Sequence, residues 1–425
     1  MLAICSDLDE TPDRHTYSEI ARFLNTEDST PPGVGVGLEV GNTIYFDMPP
    51  GQFAYWNTDD AGRDMVDALI TSGHIDCLHS FGDLATTRAH AERALAALER
   101  LPRRLAVWID HATAPTNFGA DIMQGSGDVK SSPAYHADLT IGYGIRYVWR
   151  GRVTSVIGQE VPPRLDGVWS SRHPLVSART LAKEAVKQAL GRRGSIKYAM
   201  HPANRVLRQA QLRDDQPVIE FLRCNPSWGG VSHADTADGL AGVLTDSFLD
   251  RLVARQGVCV LYTHLGKSRD PGRRFPPETV AALKRLAERF RRGEILVLTT
   301  RRLLDYLAMR ACVQCRARDC ENGRFVDVQG FGGGGERNVH RNVVPSRSPE
   351  RSDLSAEGSL DEGDAAGLTV YVRDDQPCEM LLNGRRVPNV VRNRPDETGR
   401  ASVSVPWRRL TFPTLDESGR ASGRH

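Results

Sequence analysis

At 425 residues the chain has room for one large domain and a smaller one, since a single α/β barrel takes about 250 residues. Lys+Arg 55 against Asp+Glu 53 gives a formal net charge of +2, which excludes a globally basic nucleic-acid-binding protein. No stretch approaches the roughly 18 uninterrupted apolar residues of a membrane helix, and the 8 Cys are scattered, not gathered into a disulfide framework. The opening MLAICSDLDE lacks a charged n-region, a long apolar h-region and a small-residue cleavage site, so a cytoplasmic setting is expected.

Strand-length apolar runs alternate with longer amphipathic stretches to about residue 310, the pattern of βα units around a parallel sheet. Strands are predicted over residues 2–5, 34–38, 75–78, 105–109, 145–149, 196–200, 218–222, 258–262 and 295–298. Helices are predicted over 86–99, 178–190 and 277–291, the last with Pro276 and Pro277 at its start, where a missing N–H costs little. Together these predict an α/β fold, a distorted (β/α) barrel of seven or eight strands over residues 1–310.

Residues 311–366 read as a Cys/Arg-rich segment followed by a linker, rich in Gly, Ser and charge and too poor in apolar side chains to offset ordering entropy. Short β-prone runs with turn signals such as Asn383-Gly384 predict a small all-β appendage over 367–415, before a disordered tail at 416–425. Cys312, Cys315 and Cys320 resemble part of a structural zinc site, but a fourth ligand is missing and independent thiols are the simpler reading.

The first strand ends in Ser6-Asp7-Leu8-Asp9-Glu10, where two-residue spacing puts Asp7 and Asp9 on one face. Crowded carboxylates repel unless a cation or proton is shared, so the pair invites a metal or a base; the plainer alternative is a helix cap. In Gly73-His74-Ile75-Asp76-Cys77-Leu78-His79-Ser80-Phe81-Gly82-Asp83 an apolar strand delivers His79, with Asp83 four residues on. An imidazole and a carboxylate at that spacing, joined by a carboxylate from another strand, make a facial N/O set suited to Zn²⁺, Mn²⁺, Co²⁺ or Fe²⁺; a capped turn is the alternative.

This stretch resembles the second motif of the polysaccharide deacetylase (NodB-type) family, a Gly-His pair followed by His-Ser/Thr-x-x-His, with Gly73, His74, His79 and Ser80 in register. Asp83 stands where that family carries its second metal-binding His. The resemblance implies that the first strand supplies a catalytic base and a metal ligand. Either Asp7 is the base and Asp9 the ligand, or Asp9 is the base and Glu10 the ligand; the shared face of Asp7 and Asp9 favours the first. Thr263-His264-Leu265-Gly266 is similar to the family's late Leu-x-His motif, which implies that His264 is the general acid. The family's Arg-Pro element, which orients the catalytic carboxylate, is absent: Asp110-His111 stands at that strand end, either as supporting or substrate-binding groups or as an ordinary strand-end pair, and the Asp-Trp element has no counterpart.

The resemblance therefore implies a metal-dependent hydrolase acting on a small glycan or glycan precursor. One divalent metal, Zn²⁺ first, would be held by Asp9, His79 and Asp83, with Asp7 and His264 catalytic. Asp110, His111, Trp149, Arg223, Asn225 and Trp228, at presumed strand ends, are the candidates for substrate binding. Two alternatives stay open. Asp7-Leu8-Asp9-Glu10-Thr11 also fits the start of haloacid dehalogenase-type Mg²⁺-dependent phosphatases, a reading that leaves His79, Asp83 and His264 idle. The other is a catalytically inactive carbohydrate-binding barrel.

Overall fold

The structure, a computed structural model, describes residues 1–8, 10–112, 114–164, 168–169, 174–226, 236–270, 272–320, 323–330, 365–372, 378–382, 385–396 and 398–415. The chain divides into two compact units, Met1–Leu303 with Leu410–His425, and Leu304–Arg409.

The first unit is α/β. Its strands are β1 (Leu2–Ser6), β2 (Ser29–Thr30), β3 (Gly33–Val34), β4 (Gly41–Ile44), β5 (Ile75–His79), β6 (Val107–Ile109), β7 (Tyr147–Trp149), β8 (Val153–Thr154), β9 (Leu207–Gln211), β10 (Pro217–Phe221), β11 (Arg223–Cys224), β12 (Cys259–Thr263) and β13 (Val297–Leu298). Helices α1 (Arg14–Asn25), α2 (Asp60–Ser72), α3 (Arg88–Leu98), α4 (Ala137–Tyr143), α5 (Pro174–Arg192), α6 (Leu240–Val243), α7 (Asp246–Ala254) and α8 (Pro277–Arg291) lie between strands, and α9 (Thr300–Cys312) follows β13.

Apart from the β2–β3 hairpin, these strands build one curled sheet in the order β8-β11-β12-β1-β4-β5-β6-β7-β10-β9, with β13 beside β1. Every pairing in it is parallel except β9 with β10. Thr43, Cys77, Val107, Tyr147 and Ile219 stand in register across five neighbouring strands. Only Leu222 separates β10 from β11, yet β10 pairs with β7 while β11 pairs with β12.

Side-chain alternation along the strands sorts the two faces. Ile4, Ile44, Leu78, Trp108, Val148 and Leu261 join one apolar cluster with Phe23 and Leu24 of α1, Met65 and Leu69 of α2, Phe248 of α7 and Leu283 of α8. The alternate residues Cys5, Tyr45, Cys77, Ile109, Trp149 and Tyr262 are equally buried but lie outside that cluster, on the opposite face. Capping fixes the helix ends: the Asp13 carboxylate accepts from Thr16 N–H at 2.8 Å and that of Asp59 from Gly62 N–H at 2.9 Å.

Two predicted strands are not strands. The sheet strand after α1 is Gly41–Ile44, because residues 34–38 serve the helix instead: the N–H groups of Val36 and Leu38 donate to the Phe23 and Leu24 carbonyls, which the end of α1 leaves unpaired. Residues 196–200 contain a 3₁₀ turn, Ile196–Tyr198, with Ile196 72% exposed. Gly194, at φ +90°, breaks the chain out of α5 and Ser195 N–H returns to the Leu190 carbonyl, so no extended segment reaches the sheet.

The second unit carries the expected small all-β region. A sheet of β14 (Val313–Cys320), β15 (Gly323–Gly330), β17 (Cys378–Leu382) and β18 (Arg385–Arg386) accompanies another of β16 (Thr369–Tyr371), β20 (Ser402–Ser404) and β19 (Val391–Asn393). Met309, Leu368, Met380, Leu382, Val387 and Val403 form its core. The segment expected to be a Cys/Arg-rich lead-in is therefore partly strand: β14 and β15 pair antiparallel along their whole length, and β15 pairs with β17. Val313, Cys315 and Ala317 alternate with Gln314, Arg316 and Arg318, a period-two strand pattern that the Cys spacing and Arg content masked. Residues 331–364, most of the expected linker, and the 416–425 tail lie outside the described residues.

Candidate active site

The parallel strands deliver their C-terminal ends to one rim, and the first site residue there is Asp7, directly after β1. Both Asp7 and Arg223 of β11 are 0% exposed. The guanidinium grips the carboxylate with two bonds, Nη1 to Oδ2 at 2.7 Å and Nη2 to Oδ1 at 3.1 Å, and Nη2 also lies 2.9 Å from Cys5 Sγ. Trp149 of β7 lies under the cation at 4.1 Å and Tyr262 of β12 at 4.9 Å, so aromatic faces complete its surroundings. Burial is the largest single influence and works against the charge on Arg223, but Asp7, Cys5 and Tyr262 together raise the guanidinium pKa.

His79, at the end of β5, is 2% exposed and places Nε2 3.9 Å from Asp7 Oδ2. Its ring stacks on Tyr45 at 4.6 Å and meets the His111 ring edge-on at 4.9 Å. His111, just past β6, pairs through Nδ1 with Asp83 Oδ1 at 2.9 Å. On the far side of Arg223, the Tyr262 hydroxyl lies 3.1 Å from Nε2 of His264, which follows β12. One continuous chain of contacts thus runs Asp83, His111, His79, Asp7, Arg223, Tyr262, His264.

The backbone at this rim is strained. Glu10, Ser80 and Ala112 have φ of +60°, +47° and +42°, Ser80 directly after β5 and the other two a few residues beyond β1 and β6. Gly82, at φ +99°, sits where an added Cβ would come 2.1 Å from the Asp47 carbonyl oxygen, so the turn that brings Asp83 to His111 needs glycine. Beside the rim, the loops after β1 and β12 enclose a cleft of about 210 Å³ lined by Glu10, Pro12, Thr16, Gly266, Lys267 and Arg274.

The sequence-predicted residues divide. Asp7, His79, Asp83, His111, Trp149, Arg223 and His264 fall in the one network. Asp9 and Trp228 lie outside the described residues. Arg223 was expected to touch substrate; instead it is wholly buried on Asp7, because a fork of donors in a dry interior is satisfied by the nearest carboxylate. Asn225 is also 0% exposed, with its N–H donating to the Thr154 carbonyl. The Gly73-His74 half of the motif is architectural: Gly73 ends α2 at φ +87°, and His74, at the opposite end of β5 from His79, lies 2.9 Å from Ser72 Oγ through Nδ1.

Asp110 does not face the network either. It alternates away from His111, and its Oδ1 accepts from Trp108 Nε1 at 2.7 Å and Phe118 N–H at 2.9 Å, among the helix-facing residues. Burial pushes its carboxyl up to about 7 despite those two bonds. A native carboxyl that keeps its proton between the unfolded value of about 3.9 and 7 makes stability fall as pH rises through that window. Asp110→Asn, which keeps an acceptor for both donors, is expected to remove that fall and raise stability at pH 8 by on the order of 1 kcal/mol, read by urea denaturation at pH 5 and pH 8. An unchanged pH dependence would show that Asp110 is ionised in the fold.

Sequence reasoning missed Tyr45, which contacts both imidazoles, and Tyr262, which bonds His264. Tyr262 was within reach, since it stands two residues before His264 on the same strand face. Among the described residues, no group of three His, Cys, Asp or Glu side chains stands ready to hold a metal ion. The donor types still suit a borderline divalent cation, with two imidazoles in contact, each beside a carboxylate. No helix among the described residues is long and apolar enough to cross a membrane. Comparison of the chain with protein-family models, with curated proteins and with solved structures found no match.

Proposed function

We propose that this protein is a divergent relative of the polysaccharide deacetylases, a metal-dependent hydrolase that cleaves an amide or ester bond in a small glycan or glycan precursor. The observation that carries the reading is the bidentate Arg223–Asp7 pair, with His79 3.9 Å from the same carboxylate. A carboxylate oriented by a guanidinium is what the expected base requires, and Arg223 supplies from β11 what the absent Arg-Pro element would have supplied. For the fold, we read the sheet as a closed, distorted seven-stranded barrel. Because β10 and β11 are separated by one residue, the β7–β10 and β11–β12 pairings close the ring through a single bent strand, staggered as barrel closure demands.

Asp7 would take the proton from the attacking water, since the Arg223 fork uses only part of the carboxylate's acceptor capacity. His264, held by the Tyr262 hydroxyl, would protonate the leaving amine or alcohol. His79 would anchor a divalent cation, Zn²⁺ first, with Asp9 and Asp83 the carboxylates expected from the sequence. Bound there, such a cation would polarise the scissile carbonyl and lower the pKa of water. Trp149 and Tyr262 wall the site with apolar faces that exclude bulk water and strengthen its electrostatics.

One observation favours a second reading, an inactive binding barrel: Asp7 is 0% exposed. The same experiment separates the two. Purified protein loaded with Zn²⁺, Mn²⁺ or Co²⁺ is offered N-acetylated and O-acetylated mono- and oligosaccharides, and acetate release and sugar binding by titration calorimetry are measured alongside metal content by mass spectrometry. Metal-dependent release is expected, lost in His79→Ala. Sugar binding without release under every metal would replace the hydrolase with the binding barrel.

A further inference from the structure

We propose that His111, and not Asp83, is the second side chain that binds the metal beside His79, and that Asp83 is a positioning residue acting through His111. This rests on the metal-dependent reading above and deepens it. The sequence motif puts Asp83 where a second His is expected, four residues after His79. Its carboxylate is turned to a different task, bonding His111 Nδ1 at 2.9 Å. A carboxylate on one ring nitrogen fixes the tautomer, directs the other nitrogen to the metal and raises its basicity, the common arrangement behind a ligating histidine.

The spacing of the rings agrees. Two imidazoles on one tetrahedral Zn²⁺, each with a Zn–N bond of about 2.0–2.1 Å, have ring centres about 5 Å apart. The His79 and His111 centroids are 4.9 Å apart, with their planes at 74°. Tyr45 touches both rings, stacked on His79 at 4.6 Å and edge-on to His111 at 5.1 Å, so the two are held as a pair.

The backbone of His111 is also clamped. Its N–H donates to Asn117 Oδ1 at 2.9 Å and its carbonyl accepts from Asn117 Nδ2 at 2.9 Å, and Asn117 is itself 0% exposed. The His111 side chain is only 14% exposed, and its carboxylate partner and the Asn117 clamp on both its backbone groups hold it as closely as a ligand must be held. His111 therefore stands in for the missing motif histidine from the neighbouring strand. The chain has exchanged the ligand along a helical turn for one across β5 and β6.

The test is Co²⁺ binding to the full chain after chelator treatment, followed by visible absorption and equilibrium dialysis, in wild type, His79→Ala, His111→Asn, His111→Gly and Asp83→Asn. His111→Asn is chosen because its amide can still donate to Asp83 while the distal ring nitrogen is gone; circular dichroism checks folding. Wild type is expected to bind about one Co²⁺ per chain, His79→Ala and His111→Asn to lose at least 100-fold in affinity, and Asp83→Asn to lose about 10–100-fold at unchanged stoichiometry. Millimolar imidazole is expected to restore Co²⁺ absorption in His111→Gly, a rescue that a merely structural histidine would not show. Wild-type affinity in His111→Asn with binding abolished in Asp83→Asn would make Asp83 the ligand, overturning this proposal while leaving the hydrolase reading standing. Absence of Co²⁺ from the wild type would overturn both.

Discussion

Replacing Arg223 with Met is expected to lower the unfolding free energy by about 3–5 kcal/mol, because it strips a buried carboxylate of its counter-ion without opening a path for water. Asp7 and Arg223 are both 0% exposed, and the guanidinium makes two bonds to the carboxylate and packs against Trp149 and Tyr262. The Met side chain fills similar volume against those rings, so the loss reports charge and hydrogen bonding more than packing. Arg223→Lys keeps the charge but not the fork, and an intermediate loss is expected. Removing both charges in Asp7→Asn/Arg223→Met should recover much of the stability, since no unpaired ion remains. Chemical denaturation of the four proteins measures this directly. A loss below 1 kcal/mol in Arg223→Met would mean that water reaches Asp7 and that the pair is not sealed.

The second large effect is on turnover. If the proposed hydrolase reading holds, Asp7→Asn is expected to lower kcat/KM on any acetylated sugar that the protein turns over by about 10²–10⁴-fold, the usual contribution of a positioned base. Asn accepts only one of the two Arg223 bonds and leaves the buried guanidinium without a counter-ion, so folding is checked by circular dichroism before Co²⁺ stoichiometry, expected to be unchanged, is read. That separates loss of the base from loss of the metal: His79→Ala removes both binding and turnover, Asp7→Asn turnover alone. Co²⁺ loss in Asp7→Asn would move Asp7 from base to ligand, and undiminished turnover would leave the base elsewhere in the network.

The two predictions concern the same four atoms, and they pull in opposite directions for the protein. A base that is to accept a proton is better weakly bound, whereas a buried carboxylate is stable only when firmly paired. The geometry meets both needs with a planar fork on one edge of Asp7 and His79 3.9 Å from Oδ2. Strain collects at the same rim, where Glu10, Ser80 and Ala112 all take positive φ. The connecting loops thus hold the side chains of β1, β5 and β6 where regular strand continuation would not.

Much of this was legible in the sequence because it is local. Apolar runs of strand length marked β1, β5, β6, β7, β10, β12 and β13, and polar residues at the end of β5 and directly after β1 and β12 marked His79, Asp7 and His264. The predicted helix over 277–291 matches α8 residue for residue, since Pro at its start and a regular apolar stripe define both the element and its register. Residues 34–38 and 196–200 had the composition of strands but not the partners. Hydrogen bonds to the end of α1 claimed the first, and a glycine exit from α5 turned the second outward.

What the sequence by itself determined is the α/β class, the small β-rich region and the list of chemically capable side chains at strand ends. Only the tertiary structure decided which of them meet. Arg223 reaches Asp7 across 216 residues of chain, and His111 reaches Asp83 across 28, so no window of local periodicity contains either pair. Nor could spacing distinguish Asp110 from His111, neighbours that alternation sends to opposite faces of one strand end. Strand pairing and register set these contacts, and they follow from how the sheet curls and packs as a whole.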